Sequence, residues 1–371
     1  MGSDPRPKAA GSDPDLAAQG STTGRLLTLT SETTGDFGEV DVTLAEHIGL
    51  VHADLSVGAN ITSAVRLEAN ENLSNRGVQL FGAGFIVTRE EAFAFTLQES
   101  QTIIRDYRNG RDLTDAPRGV KVIDAFGLSA EQLRTQHPTI YQWLLERVKP
   151  EREQNNRASR RDNWWLFGET NPKLRKQLAG LPRYIATVET AKHRTFQFLD
   201  ASILPDNKLI AIALSDAFSL GVLSSSTHKS WATANGSSIG MYIGDVVYVK
   251  SRCFETFPFP AEDTGLTPEL RNKIAELAEQ IDAHRKRQQA AHPGLTLTGM
   301  YNVLEALKTG RDLTAKEKII HTQGLVGVLK ELHDELDAAV LQAYGLEAGL
   351  NQSENKDALL SHLVTLNVQR A

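Results

Sequence analysis

Residues 163–200 read NWWLFGETNPKLRKQLAGLPRYIATVETAKHRTFQFLD, and the order of signals in this stretch decides the fold class. Trp164, Trp165, Leu166 and Phe167 crowd four large apolar side chains into one short segment, so at least one tryptophan is expected to anchor a core. Asn171-Pro172-Lys173 predicts a turn leading into a helix over LRKQLAG. RYIATVET and RTFQFLD are short runs rich in β-branched and aromatic residues, and both predict strands. Downstream, KLIAIAL, SLGVLSS and VVYVK predict further strands, divided by turn chemistry at Pro205-Asp206-Asn207 and Asn235-Gly236. SSSTHKSWATAN, with a polar start able to cap it, predicts a helix.

Both flanks have a different character. Residues 1–22 hold almost no large apolar residue and are expected to be disordered or a cloning remnant. LLTLT, VDVTL and LVHADLSVG predict strands around the turn-rich ETTGDFGE. VQLFGAGFIVT predicts two short strands joined as a hairpin by Gly82-Ala83-Gly84. A helix is expected through Ile103, Ile104 and Tyr107, and another through Pro138, Tyr141, Trp143, Leu144, Leu145 and Val148. After Pro258-Phe259-Pro260 the chain turns helical. Thr267-Pro268-Glu269 is a helix start: a capping hydroxyl, a proline in the first turn and an acid at the positive end. Leu270, Ile274, Leu277 and Ile281 then share one face, and His292-Pro293-Gly294 ends the run. Further helices are expected over Leu297–Thr309, from Thr314 to Tyr344, and from Lys356 to Leu366. The fold class is therefore α+β: a β-rich leader, a middle of mixed and antiparallel strands, and a helical C-terminal region.

Composition narrows the function. The sequence has no apolar run near the roughly 20 residues of a membrane span. One cysteine, Cys253, leaves no intrachain disulfide or cysteine-rich zinc site, so the expected compartment is a reducing cytoplasm. The net charge of -6 speaks against nucleic acid, but its distribution does not. Arg147 to Arg194 holds 12 basic and 5 acidic residues, which fits a localised phosphate-binding face. Arg183, Lys192, His193 and Arg194 flank the predicted strands, where loop ends present side chains to one phosphate track, and Lys173 belongs to the same basic stretch.

Catalytic patterns are weak. Gly82-Ala83-Gly84 resembles a cofactor turn, but it leads into a strand, and no acid stands about 20 residues on to hold a ribose. Asn171-Pro172-Lys173 lacks the second proline and the aromatic of the motif that amino-methyltransferases use on a flipped adenine. The ten histidines are scattered, and His193, His228 and His321 read as surface or core residues. No nucleophile triad, phosphate loop, metal spacing or nuclease carboxylate cluster stands out.

The succession NWWLFGE, LAGLPRYIAT, AKHRTFQFLD, LPDNKLIAIALSDAFSLGVLSS and SRCFETFPFP resembles the target recognition domain of MmeI-like restriction–modification enzymes. Methyltransferases of the BREX phage-defence type share part of this layout. The resemblance runs from about Gly24 to near Leu346. It implies that residues 23–88 are the β-rich end of a methyltransferase domain and its connector, 89–262 a target recognition domain, and 263–371 a helical C-terminal domain. It also implies an adenine-N6 DNA methyltransferase as parent, with S-adenosylmethionine as that enzyme's cofactor and any nuclease upstream. No cofactor is expected in this part of it. The implied partners are double-stranded DNA and a methyltransferase domain, in the same or a separate chain. Base-reading candidates carried over are Asn235, Ser237, Ser238, Ile239, Met241 and Tyr242, with Lys192, His193 and Arg194. Two other readings stand beside this one: a self-sufficient methyltransferase with a degenerate cofactor loop, and a specificity subunit whose C-terminal helices dock on a catalytic chain.

Overall fold

The computed structural model describes residues 23–34, 40–50, 59–96, 101–238, 246–347 and 356–371. The expectation for residues 1–22, and most of LVHADLSVG, lie outside them. The chain divides into two units, residues 1–63 and 64–371.

In the first unit, β1 (Thr23–Thr34) and β2 (Val40–Leu50) form an antiparallel ribbon with a bulge between Leu29 and Ser31. Leu29 faces Leu44 across the pair. Leu27, Leu29, Val40, Val42 and Leu44 are exposed.

Among its described residues the second unit holds three small sheets. They are built from β3 (Ser74–Arg76), β4 (Ile86–Val87), β5 (Ile104–Arg108), β6 (Lys121–Ile123), β7 (Arg183–Val188), β8 (Thr190–Ala191), β9 (Gln197–Asp200), β10 (Leu204–Pro205), β11 (Leu209–Ile212), β12 (Ser237–Ser238) and β13 (Val246–Val247). Their orders are β10-β5-β6-β4, β3-β11-β7-β9 and β12-β13-β8. All pairings are antiparallel except β10 with β5.

The second of these sheets is central, and its sequence shows why. Side chains alternate across a strand, so a sheet covered on both faces reads as an unbroken apolar run. Leu209-Ile210-Ala211-Ile212 is fully buried. Ile210 and Ile212 join Ile185, Phe196 and Phe198 on one side, while Leu209 and Ala211 join Tyr184, Ala186 and Leu199 on the other.

Of the helices used below, α1 (Ala130–Gln136) and α2 (Pro138–Arg147) cover the first sheet, and α3 (Pro172–Leu178) lies on the second face of the central one. They are followed by α4 (Ala217–Ser224), α5 (Ser226–Asn235), α6 (Pro268–Ala291), α7 (Leu297–Thr309), α8 (Ala315–Gly324), α9 (Val326–Ala343) and α10 (Lys356–Gln369). The α6 start is as expected: Thr267 Oγ1 accepts from Leu270 N, and Ile274, Leu277 and Ile281 are buried. The α+β class expected from the sequence is the one observed.

Four local expectations change. SLGVLSS forms α4, not a strand: Asp216 caps it by accepting from Ser219 N, and Phe218 through Ser224 are all buried. A helix buried all round has no apolar period to betray it. The run through Ile104 and Tyr107 is strand β5, paired with β6 and β10, with both residues turned into the core. VQLFGAGFIVT is not a hairpin. Val78 bridges to Asp206 and Gln79 to Glu169, whereas Ile86–Val87 pairs with β6. The expected helix from Thr314 to Tyr344 is two helices, broken at Leu325, whose φ is 43°.

That break yields a prediction. A left-handed conformation strains a side-chain-bearing residue by about 1–2 kcal/mol, and glycine is spared this. Leu325 is 48% exposed, so its removal forfeits little packing. Leu325→Gly should raise the thermal midpoint by roughly 2 °C, since about 1 kcal/mol moves a domain of this size by that much. A lowered midpoint in a melting scan would show that Leu325 holds the junction by packing.

Candidate nucleic-acid interface

The three-stranded sheet brings Ser237 and Ser238 to the same end as the Lys192-His193 turn. Val246 pairs with Ala191 and Val247 with Thr190, while Ser237 pairs with Val247 and Ser238 with Val246. Ser238 and Val246 anchor the two ends of the 239–245 segment. Both therefore sit at the end of the sheet from which Lys192 and His193 leave. Ile239, Met241 and Tyr242 lie outside the described residues.

The turn itself is held by a residue more than 100 positions away. Lys192 Nζ and His193 Nε2 each lie 2.8 Å from Asn302 Oδ1, on α7. Only an Nε2–H donor makes that second bond. Burial pulls His193 below the usual imidazole range, against the opposing effect of its bond to Asn302 Oδ1, so it is neutral at neutral pH. Lys192 is exposed. Nothing in the sequence links Asn302 to the turn, and sequence reading missed it.

The other basic candidates have different uses. Arg194 is half-buried and donates to Thr187 Oγ1 at 3.1 Å, Glu189 O at 3.3 Å, Val246 O at 2.8 Å, and Val188 O. Arg183 makes a two-pronged pair with Glu279 on α6, at 2.5 and 3.2 Å, and donates to Ser215 O. Asn235 is buried at the end of α5, its amide donating to Trp231 O. Lys173 is exposed at the start of α3 and lines a separate cleft with Lys250 and Glu255. The basic run from Arg147 to Arg194 is thus no single track. Arg152 is buried and donates to the carbonyls of Leu80 and Leu166, and Arg175 is paired with Asp124. A guanidinium presents five donors in a plane, and this fold uses several of them as internal braces.

The two catalytic look-alikes are structural. At Gly84 an added Cβ would stand 2.5 Å from the Arg147 carbonyl oxygen, and the Gly84 carbonyl takes a hydrogen bond from Trp143 Nε1. The turn is closed by its own chain and offers no cradle that fits an adenosyl cofactor. Asn171, at φ 47°, caps α3 by accepting from Leu174 N, while its amide donates to Arg76 O and Asn75 Oδ1. Its polar atoms are engaged. His228 is buried with Nε2 2.9 Å from Tyr248 Oη, and burial pulls it down to about 3. Cys253 is buried and pushed up to about 11, an inert thiol. Among the described residues no cluster of His, Cys, Asp and Glu is placed to hold a metal ion, and no helix is long and apolar enough to cross a membrane.

These features define an α+β protein in which one sheet end gathers the Lys192-His193 turn with Ser238 and Val246, and α7 holds the turn from behind. The family model of the MmeI target recognition domain matches residues 73–261, and the chain belongs to that family. The match opens at the residue before β3, which is an integral strand of the central sheet. The type IIL restriction–modification enzyme MmeI, solved in complex with DNA, is similar in fold, with a TM-score of 0.63 at 16% identity. The likeness covers 88% of this chain and 40% of that enzyme. No curated protein matches.

Proposed function

We propose that this chain reads DNA sequence for a site-specific adenine-N6 DNA methyltransferase of a restriction–modification or phage-defence system. One observation carries the reading: both ends of the 239–245 segment and the Lys192-His193 turn share a single sheet edge. Such an edge lets loop side chains reach base edges while flanking cations meet phosphates. In this reading Ser237, Ser238, Ile239, Met241 and Tyr242 face bases, for which serine hydroxyls are suited donors and acceptors. Lys192 and His193 flank them, and Lys173 meets phosphate at a distance. Arg183, Arg194 and Asn235 shape the surface that carries them. Transfer of the methyl group from S-adenosylmethionine falls to a methyltransferase domain of the same enzyme, and the duplex is the shared partner.

Fluorescence anisotropy with duplex DNA tests this. Affinity should fall roughly a hundredfold between 50 and 200 mM salt if about four phosphates are contacted. Replacing Ser237 and Ser238 together with alanine should change the preferred sequence while leaving that salt dependence intact. A salt-independent isotherm, or an unaltered preference, would contradict the reading.

A further inference from the structure

Beside the edge that carries Lys192, α5, α7 and α9 line a half-open cavity of about 330 Å³. Lys192 and His193 form its rim, Lys229 of α5 and Tyr301 its floor, and Lys308 and Asp337 a wall. The one buried acid of this wall is already engaged. Asp337 Oδ1 accepts from Ser226 N at 2.7 Å, and Oδ2 lies 3.5 Å from Lys308 Nζ. Lys308 also reaches Asp334 at 3.1 Å. The Lys229 ammonium has neither a hydrogen bond nor an ion pair among the described residues. It lies 5.7 Å from the centre of the Tyr301 ring. Tyr301 Oη is occupied by Arg285 Nη1 and His333 Nε2.

The electrostatics agree with the geometry. Burial draws Lys229 down to about 8; Asp337 opposes this, and Lys308 and Arg285 add to it. From α7, Glu305 also lines the cavity but is exposed. His333 of α9 is held neutral by its burial, and so is His193 on the rim. A recessed cation without a matched anion, opening beside an exposed lysine, suits an anion that brings its own acceptors.

We propose that this cavity seats one backbone phosphate of the bound duplex, with Lys229 at its floor and Lys192 at its rim. The proposal rests on the DNA-recognition reading above and adds to it a residue outside the 190s turn and the 237–242 stretch.

The test uses the full chain and duplex DNA. Lys229→Gln keeps the length of the side chain and removes the charge. It should weaken binding about five- to tenfold for every sequence and make the log–log salt slope shallower by about 0.9. Lys229→Arg should restore most of both. If Lys229→Gln does not fold by circular dichroism, Lys229→Met, which keeps the apolar stem and loses the charge, gives the same readout. A folded Lys229→Gln protein with unchanged affinity and slope, beside a wild type that binds salt-dependently, overturns the phosphate seat alone. A seat for free phosphate only would give that same result. A wild type that binds no duplex overturns the recognition reading and the seat with it.

Discussion

Replacing Arg175 with methionine should lower the stability of the chain by about 3–5 kcal/mol, the usual result of stranding one member of a buried ion pair. Arg175 Nη1 and Nη2 lie 2.7 and 2.9 Å from the two oxygens of Asp124, and Nε donates to Thr170 O at 2.8 Å. The side chains are 14% and 4% exposed, which separates this pair from surface bridges. The guanidinium also lies 4.3 Å from the Phe126 ring centre. Asp124 closes β6, its amide donating to Ile103 O, while Arg175 belongs to α3 on the central sheet. The pair therefore joins two sheets that share no strand. Without Arg175, the nearest cation to Asp124 is Arg105, at 3.9 Å, itself bonded to Ser202 O and Ala201 O. Urea unfolding of Arg175→Met, Asp124→Leu and the double variant measures the coupling. The double variant should recover more than half of the loss, because apolar replacement removes the stranded charge. A single-variant change below about 1 kcal/mol would place the pair among the exposed ones.

How much of this was legible in the sequence depended on how local each signal was. The caps at Ser225 and Thr267 stood in the chain beside the helices they start, and the structure shows each side chain accepting from the helix. The strands Arg183–Val188 and Leu209–Ile212 were legible from β-branched runs between turns. Helix α4 was not, because periodicity needs a wet face, and it has none. The break at Leu325 was not, since a leucine gives no warning of a positive φ. At the candidate site, the 190s turn and the 237–242 segment could be named from resemblance, but not their juxtaposition. That comes from strand register, which joins residues some 50 positions apart. Asn302 and Lys229 were invisible for the same reason: each acquires its role from residues far away in the chain. The cluster of basic residues misled in the opposite direction. It reads as a surface in one dimension, yet Arg152, Arg175 and Arg194 turn inward to carbonyls or a carboxylate.

Arg194→Met should abolish most of the discrimination between DNA sequences while leaving the salt dependence of binding as it was. The guanidinium ties three pieces of the chain together: the end of β7 through Thr187 and Val188, the link between β7 and β8 through Glu189, and β13 through Val246. Hydrogen bonds from a charged group contribute about 1.5–3 kcal/mol each, so losing the set should destabilise the protein by roughly 3–4 kcal/mol after relaxation. The functional effect comes from where the damage falls. Val246 is the anchor that follows the 239–245 segment, and it pairs with Ala191 beside the Lys192 turn. Freed of Arg194, that anchor no longer fixes the segment relative to the flanking cations. Each 1.4 kcal/mol of lost positioning lowers the ratio of specific to non-specific affinity tenfold, and a drop of at least that size is expected in anisotropy titrations. Lysine should not rescue it, since one ammonium cannot reach carbonyls on three segments in a plane. The salt slope decides between two uses of this residue. If Arg194 met a phosphate directly, its loss would make the slope shallower by about 0.9. If it braces the edge from within, as its partners indicate, Lys229→Gln changes the slope and Arg194→Met changes the preference.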